Sequence, residues 1–439
     1  MEIFEFDSLF FEIIALYILN IALIVRLCVK MNFLAIIVWP IILYSIGPYI
    51  SYAYLATPVL AKYIFPENFL EESALFTVFL VVLLCLDKIF GIGNIVRDYV
   101  LSREILRLGS SKRMLFFFYG TGIISAVFQI ALMAANGSIF TGNYLASAPT
   151  DPSSGQSISW GMLGGFYELF FSCTVLIFIA KKEGSIVSKE SFFYSFVLLL
   201  RLLGGTRLIL IKELSVLLFL MLYQKKIRFL FVSIFSIAII GIGTLVGIAR
   251  SGGAVQEFGA LSSFAYESSL TALTLNIADS LSHDESAHQF YHPVDAVVDL
   301  TASLVPGFIR DIFVPEKKDR EINMATEAGF DTSSPVGAMA LFASSIYIFL
   351  NPWVAPFLFP VILLTISKVS FSKKIKSYVL VAIFIESLNM WRDPFEISLK
   401  IIVQTIVFYC FVGMDWKSLV RQMIRPKNAA PVRISPVVG

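Results

Sequence analysis

At 439 residues, 57% hydrophobic and 15% charged, with a mean hydropathy of +0.80, the chain is too apolar for a soluble globular domain, which runs at about 45–50% apolar and a quarter charged. The formal charge of +2 carries little information, because in a membrane protein the placement of Lys and Arg matters more than their sum. Cys28, Cys85, Cys173 and Cys410 all lie in apolar runs with no CxxC pattern, and read as small buried hydrophobes rather than a disulfide framework or metal site.

Repeated apolar runs of roughly 20 residues, each enough to cross about 30 Å of hydrocarbon, predict an all-α polytopic membrane protein. The N-terminal "MEIFEFDSLF" lacks the basic start and small-residue cleavage site of a signal peptide, so the first span is expected to remain in the mature protein. Spans are predicted at about 9–29, 33–55, 73–95, 114–135, 161–181, 190–205, 207–223 and 227–249, followed by 353–369, 376–391 and 396–414.

Lys/Arg bias orients them. "VRLCVKMN", "RDYVLSREILRLGSSKR", "KKEGSIVSKE" and "YQKKIR" are basic and predicted cytoplasmic, as is the tail over 415–439. "NGSIFTGNYLASAPTDPSSGQSISW" has no Lys or Arg and is predicted outside. About 11 transmembrane helices with the N-terminus out and the C-terminus in satisfy all these loops. "PVGAMALFASSIYIFL" is apolar too, but counting it as a crossing would place the basic "KVSFSKKIK" outside. Residues 335–352 therefore read as a re-entrant or interfacial helix, which needs a protein or water lining at that depth.

The organisation is thus eight helices over 1–249, a large outer loop over 250–334, the re-entrant segment, three helices over 353–414 and the basic tail. The loop, about 85 residues long and partly helical by its periodicity, far exceeds ordinary connections. It holds all three histidines, in "HDESAHQFYH". Their spacing is not that of a zinc site, and they read as a solvated turn. No GxGxxG after a strand and no Walker motif is present.

The charged residues of "RLLGGTRLILIKELSVLLFLMLYQKK" are costly in a membrane and mark a pathway or site by default. The two glycines permit a tight outer turn, which puts Arg207 at the membrane surface. Arg201, Lys212 and Glu213 lie deeper, and a structural alternative is an internal Arg201–Glu213 pair locking the hairpin. Arg250 closes the eighth span, Arg310 lies in the long loop, and Arg392 ends the tenth span in "MWRDPFE". Arg207, Arg250, Arg310 and Arg392 thus share the outer half, where guanidinium forks suit phosphate oxygens; anchoring of helix ends to lipid headgroups is the alternative. Glu396 and Lys400 have the i, i+4 spacing of a structural pair. Glu267, in "SFAYESSLTALTLN", is a candidate general base for a sugar hydroxyl, or a carboxylate favoured in a helix's first turn.

The chain resembles the Wzy-type polysaccharide polymerases of bacterial envelopes, most closely the enterobacterial common antigen branch. The likeness rests on "GGTR" opening a span, "YESSLTALTLN" in the long loop, "SSPVGAMALFASS" after it and "RDPFE" before the last span. It covers about the last 240 residues; the first 190 match only as a hydropathy pattern. Where that branch tends to carry Arg-Glu before the last span, this chain carries Arg392-Asp393.

The resemblance implies a metal-independent glycosyltransferase of the bacterial inner membrane, needing no cofactor. It would act at the periplasmic face on undecaprenyl-pyrophosphate-linked oligosaccharides, making O-antigen or a related surface polysaccharide of the lipopolysaccharide type. Arg207 and Glu267 would be its catalytic residues, with Arg207, Arg250, Arg310 and Arg392 binding pyrophosphate. Implied partners are the lipid-linked oligosaccharide, membrane lipid and a polysaccharide chain-length regulator, with no nucleic acid. An O-antigen ligase and a flippase or transporter of the same lipid-linked sugars are the alternative readings.

Overall fold

In the computed structural model, residues 8–42, 66–135, 156–181, 188–203, 207–225, 351–369, 371–392 and 395–414 are described. All regular structure among them is helical, with no strand. The first half contains α1 (Ser8–Val29), α2 (Leu34–Val38), α3 (Pro66–Phe90), α4 (Ile92–Val100), α5 (Arg103–Gly109) and α6 (Lys112–Ala135). Next come α7 (Gln156–Ala180), α8 (Lys189–Leu203) and α9 (Arg207–Tyr223). A single 3₁₀ turn (Pro352–Val354) then leads into α10 (Ala355–Lys368), α11 (Lys373–Ile385), α12 (Asn389–Arg392) and α13 (Phe395–Val412). The predicted span at 227–249, the loop over 250–334, the segment over 335–350 and the tail from 415 lie outside the described residues.

Three of these helices carry stretches long and apolar enough to cross a membrane: Phe11–Val29, Leu70–Phe90 and Lys112–Ala131. Their outward faces display large apolar side chains, with Val29 75%, Phe116 72% and Val127 60% exposed. A soluble protein rarely tolerates so much apolar surface; for a membrane protein it is the surface that meets lipid. Helix α7 is the opposite case. Between Tyr167 and Ile179 it is apolar nearly all round and buried, as expected of a central helix, and it packs against α5, α6, α9, α11 and α13. Gly109 lets α5 approach it, since a Cβ there would collide with the backbone of Leu176.

Polar side chains join the helices at crossings and turns. In α1, Asn20 donates to the Ser73 carbonyl at 3.3 Å and accepts from Thr77 at 2.8 Å, tying α1 to α3. Helix α3 stops at Phe90, short of the expected 95, because Gly91 adopts the left-handed conformation (φ +65°), the usual way to end a helix. Asp87 fastens both sides of that stop: its carboxylate accepts from the Gly93 N–H and from the Asn32 amide, each at 2.7 Å. Asn32 in turn accepts from the Leu34 N–H at 3.0 Å. One carboxylate therefore pins the α1–α2 turn to the start of α4, where the helix dipole favours negative charge.

The basic stretch over 97–113, expected as a plain connection, is largely helical and packed. Ile92, Val96 and Val100 line one face of α4 and are buried, the four-residue recurrence of an amphipathic helix. Ser102 caps α5 by accepting from the Ile105 N–H at 3.4 Å and also meets the Ser377 hydroxyl of α11 at 2.9 Å.

Removing the Asp87 carboxylate would leave two part-buried donors without their acceptor, at about 1–3 kcal/mol. Asp87→Ala should therefore lower the thermal unfolding midpoint in detergent, and Asp87→Asn, which keeps one acceptor oxygen, should lower it less. Equal midpoints for wild type and Asp87→Ala would show that the turn does not depend on this group.

Candidate functional site: a buried ion network

Lys212 and Glu213 are adjacent on α9, so their side chains leave the helix about 100° apart and serve different neighbours. The Lys212 ammonium is 1% exposed and Glu386 is fully buried. Lys212 Nζ donates to Glu168 Oε2 at 2.5 Å and to Glu386 Oε1 and Oε2 at 3.1 and 3.0 Å. An ammonium has three N–H donors, and the two carboxylates supply three acceptors. Glu386 also accepts from the Asn389 amide at 2.9 Å, and the Phe171 ring centroid stands 5.7 Å from Nζ.

Around α9, Glu213 accepts a hydrogen bond from the Tyr194 hydroxyl of α8. Two turns further along α8, on the same face, Arg201 donates to Gln129 of α6 at 3.0 Å. Its guanidinium carbon lies 4.7 Å from the ring centroid of Tyr167, in reach of a cation–π contact. Tyr167 precedes Glu168 on α7, so the groups around Arg201 and Lys212 adjoin through that helix. Beyond the neighbouring α8 and α9, Lys212 joins α9 to α7 and α11.

Glu386 stands at a break, as the residue that caps the end of α11. The sequence predicts one span over 376–391, but α11 ends at Ile385, residues 386–388 form a turn and α12 begins at Asn389. No proline or glycine lies there. Ser387 and Asn389 are residue types whose side chains compete with helical bonding, and the backbone recovers partners as Glu386 N–H donates to Ala382 and Met390 N–H to Glu386, at 3.0 and 3.1 Å. Non-helical backbone is tolerated at membrane depth when protein surrounds it; Glu386 through Trp391 are all buried.

Two cations and three carboxylates therefore occupy one interior region. Buried charges persist when paired and hydrogen-bonded, and the pairs around Lys212 meet that condition. Glu168, with its side chain 14% exposed, is the partly open member of the network. Among the described residues no group of three metal-ligating side chains comes together.

Of the arginines singled out from sequence, Arg207 is the first residue of α9 and Arg392 the last of α12; only their backbone positions are described. Arg250, Glu267 and Arg310 lie outside the described residues, as do the side chains of the Glu396–Lys400 pair's first member and Asp393. Glu168 and Glu386 escaped the sequence reading. Each is a lone carboxylate inside an apolar run, in "GFYELFF" and "FIESLNMW", the signal that drew attention to Lys212 and Glu213.

No protein-family model, curated protein or solved structure compared with the chain matches it. The site is accordingly read from its own chemistry.

Removing one partner of a buried ion pair costs about 3–5 kcal/mol, because the other charge stays behind unpaired. Lys212→Met should therefore reduce the yield and thermal midpoint of the purified protein sharply. Combining it with Glu168→Gln and Glu386→Gln should restore much of the loss. A triple variant no more stable than Lys212→Met would show that Lys212 acts through packing instead.

Proposed function

We propose that the chain is a polymerase of undecaprenyl-pyrophosphate-linked oligosaccharide repeat units, with about 11 spans in the inner membrane and its active face toward the periplasm. The observation that carries this reading is the link between α9 and α11. Helix α9 begins at Arg207, and five residues on, about 7.5 Å along the axis, Lys212 is bound to Glu386, six residues before Arg392. The ion pair thus ties together the helices that carry Arg207 and lead to Arg392, two of the arginines expected to grip pyrophosphate, and a helix N-terminus such as the one Arg207 opens favours anions.

In the proposed reaction, an acceptor hydroxyl of the new lipid-linked repeat attacks the anomeric carbon of the growing glycan. The bond from that carbon to the pyrophosphate oxygen breaks, and undecaprenyl pyrophosphate leaves. Glu267 takes the hydroxyl proton, while Arg207, with Arg250, Arg310 and Arg392, stabilises the negative charge on the departing diphosphate. The donor arrives already activated, so neither nucleotide nor metal is required. The loop over 250–334 would cover the site, and a chain-length regulator is the protein partner proposed.

A flippase for the same lipid-linked sugars is the second reading, favoured by the break at Glu386. Interrupted helices and paired intramembrane charges are also how transporters build substrate sites.

The test is the surface-glycan ladder of a host lacking the gene, complemented with wild type or Arg207→Ala. Glycan stopped at one repeat unit in the deletion, with long rungs restored by wild type and absent with Arg207→Ala at equal protein level, is the expected result. Loss of the single-repeat band as well would transfer the assignment to the flippase or a ligase.

A further inference from the structure

Helices α5, α6, α11 and α13 begin or end around one cleft of about 550 Å³. Arg107, Lys112, Arg113 and Lys374 line it, against the single carboxylate of Glu104. Two of these cations brace the end of α13. Arg113 donates to the Met414 carbonyl at 2.5 Å, and Lys374 to that of Gly413 at 2.8 Å. Their charge answers the negative end of the α13 dipole, and their bonds hold that wall of the cleft in place. Arg107 and Lys112 are exposed, and their side chains make no hydrogen bond or ion pair among the described residues. They supply positive charge that α13 does not use.

The cleft also has a definite height. Lys112 is the first residue of the stretch Lys112–Ala131, which is long and apolar enough to cross a membrane, so the cleft lies at one end of a helix of membrane-spanning composition. Leu108 and the buried Tyr378 add an apolar flank. An anion that carries its charge on a phosphate at the bilayer surface, with an apolar body below, matches both the charge and the level. Basic pockets between membrane helices hold acidic headgroups by this chemistry, and the volume lies in the range of small-molecule sites.

We propose that this cleft binds the phosphodiester headgroup of an acidic glycerophospholipid, with Arg107 and Lys112 as its principal charge partners. The site lies apart from the Lys212 network and is independent of the polymerase reading.

Full-length protein in mild detergent, titrated with phosphatidylglycerol or phosphatidylcholine and followed by native mass spectrometry, tests this. Wild type should retain phosphatidylglycerol in preference to phosphatidylcholine. Each of Arg107→Gln and Lys112→Gln should weaken retention about fivefold, and the pair roughly 25-fold, with salt reducing the difference. The charge-preserving pair Arg107→Lys and Lys112→Arg should retain the lipid. Equal retention by wild type and the double Gln variant overturns the proposal, as does loss in the charge-preserving pair to the same extent. Inorganic phosphate distinguishes the source: displacement of phosphatidylglycerol by millimolar phosphate would make this a site for the soluble anion and overturn the lipid assignment. Matching thermal midpoints in phosphatidylcholine alone establish that the variants fold.

Discussion

The arrangement of the inner helices turns on one ammonium group. With its three protons directed at Glu168 and Glu386, Lys212 couples the central helix α7 to α9 and to the broken end of α11. Desolvating such charges costs several kcal/mol per ion, so the packing must close around the cluster without leaving a member unpaired. That requirement fixes relative depth more sharply than apolar contact can. Leucine against leucine tolerates sliding, whereas a bidentate carboxylate on an ammonium does not. The aromatic contacts just below follow the same alignment: Phe33 meets both Phe219 of α9 and Phe384 of α11, at 5.3 and 5.5 Å between ring centroids.

The periphery is held differently. Asn20, Thr77, Asn32, Asp87 and Ser102 contribute short polar bonds between otherwise apolar helices, typically modest in membranes. Their role is positional, at turns and crossings. The turn after Ile385 belongs to the inner set: it carries the Glu386–Asn389 bond and lies beside Trp391, whose indole N–H donates to the Ile37 carbonyl of α2 at 2.6 Å.

Much of the helical layout was legible in the sequence. Apolar runs placed α1, α6 and α9 where the structure has helices, and α9 begins at Arg207, directly after the Gly-Gly stretch expected to turn the chain. The stop at Gly91 was hidden because glycine inside an apolar run is compatible with either a helix or its end, and Asp87, Asn32 and Gly93 reveal their bond only once two distant turns meet. The helices over 92–109 were masked by charge: basic residues report sidedness, while the buried Ile92–Val96–Val100 face is too short to stand out. Within the candidate site, the sequence identified Arg201, Lys212 and Glu213 as costly, with an Arg201–Glu213 pair as the structural alternative, and offered no partner for Lys212. Glu168 and Glu386 stand 44 and 174 residues from Lys212. Nothing in local spacing couples residues so far apart.

Those separations impose an order on biogenesis. Synthesis proceeds at about 5–20 residues per second, so Glu386 is made roughly 9–35 s after Lys212, and Trp391 reaches Ile37 across a separation of 354 residues. Lys212 is made long before its bidentate partner exists. Glu168, however, has already been made, and sits on a helix that packs against α9. Glu168, partly open and bound through one oxygen, is thus the counterion within reach of Lys212 from the moment the lysine is made, before its bidentate partner exists.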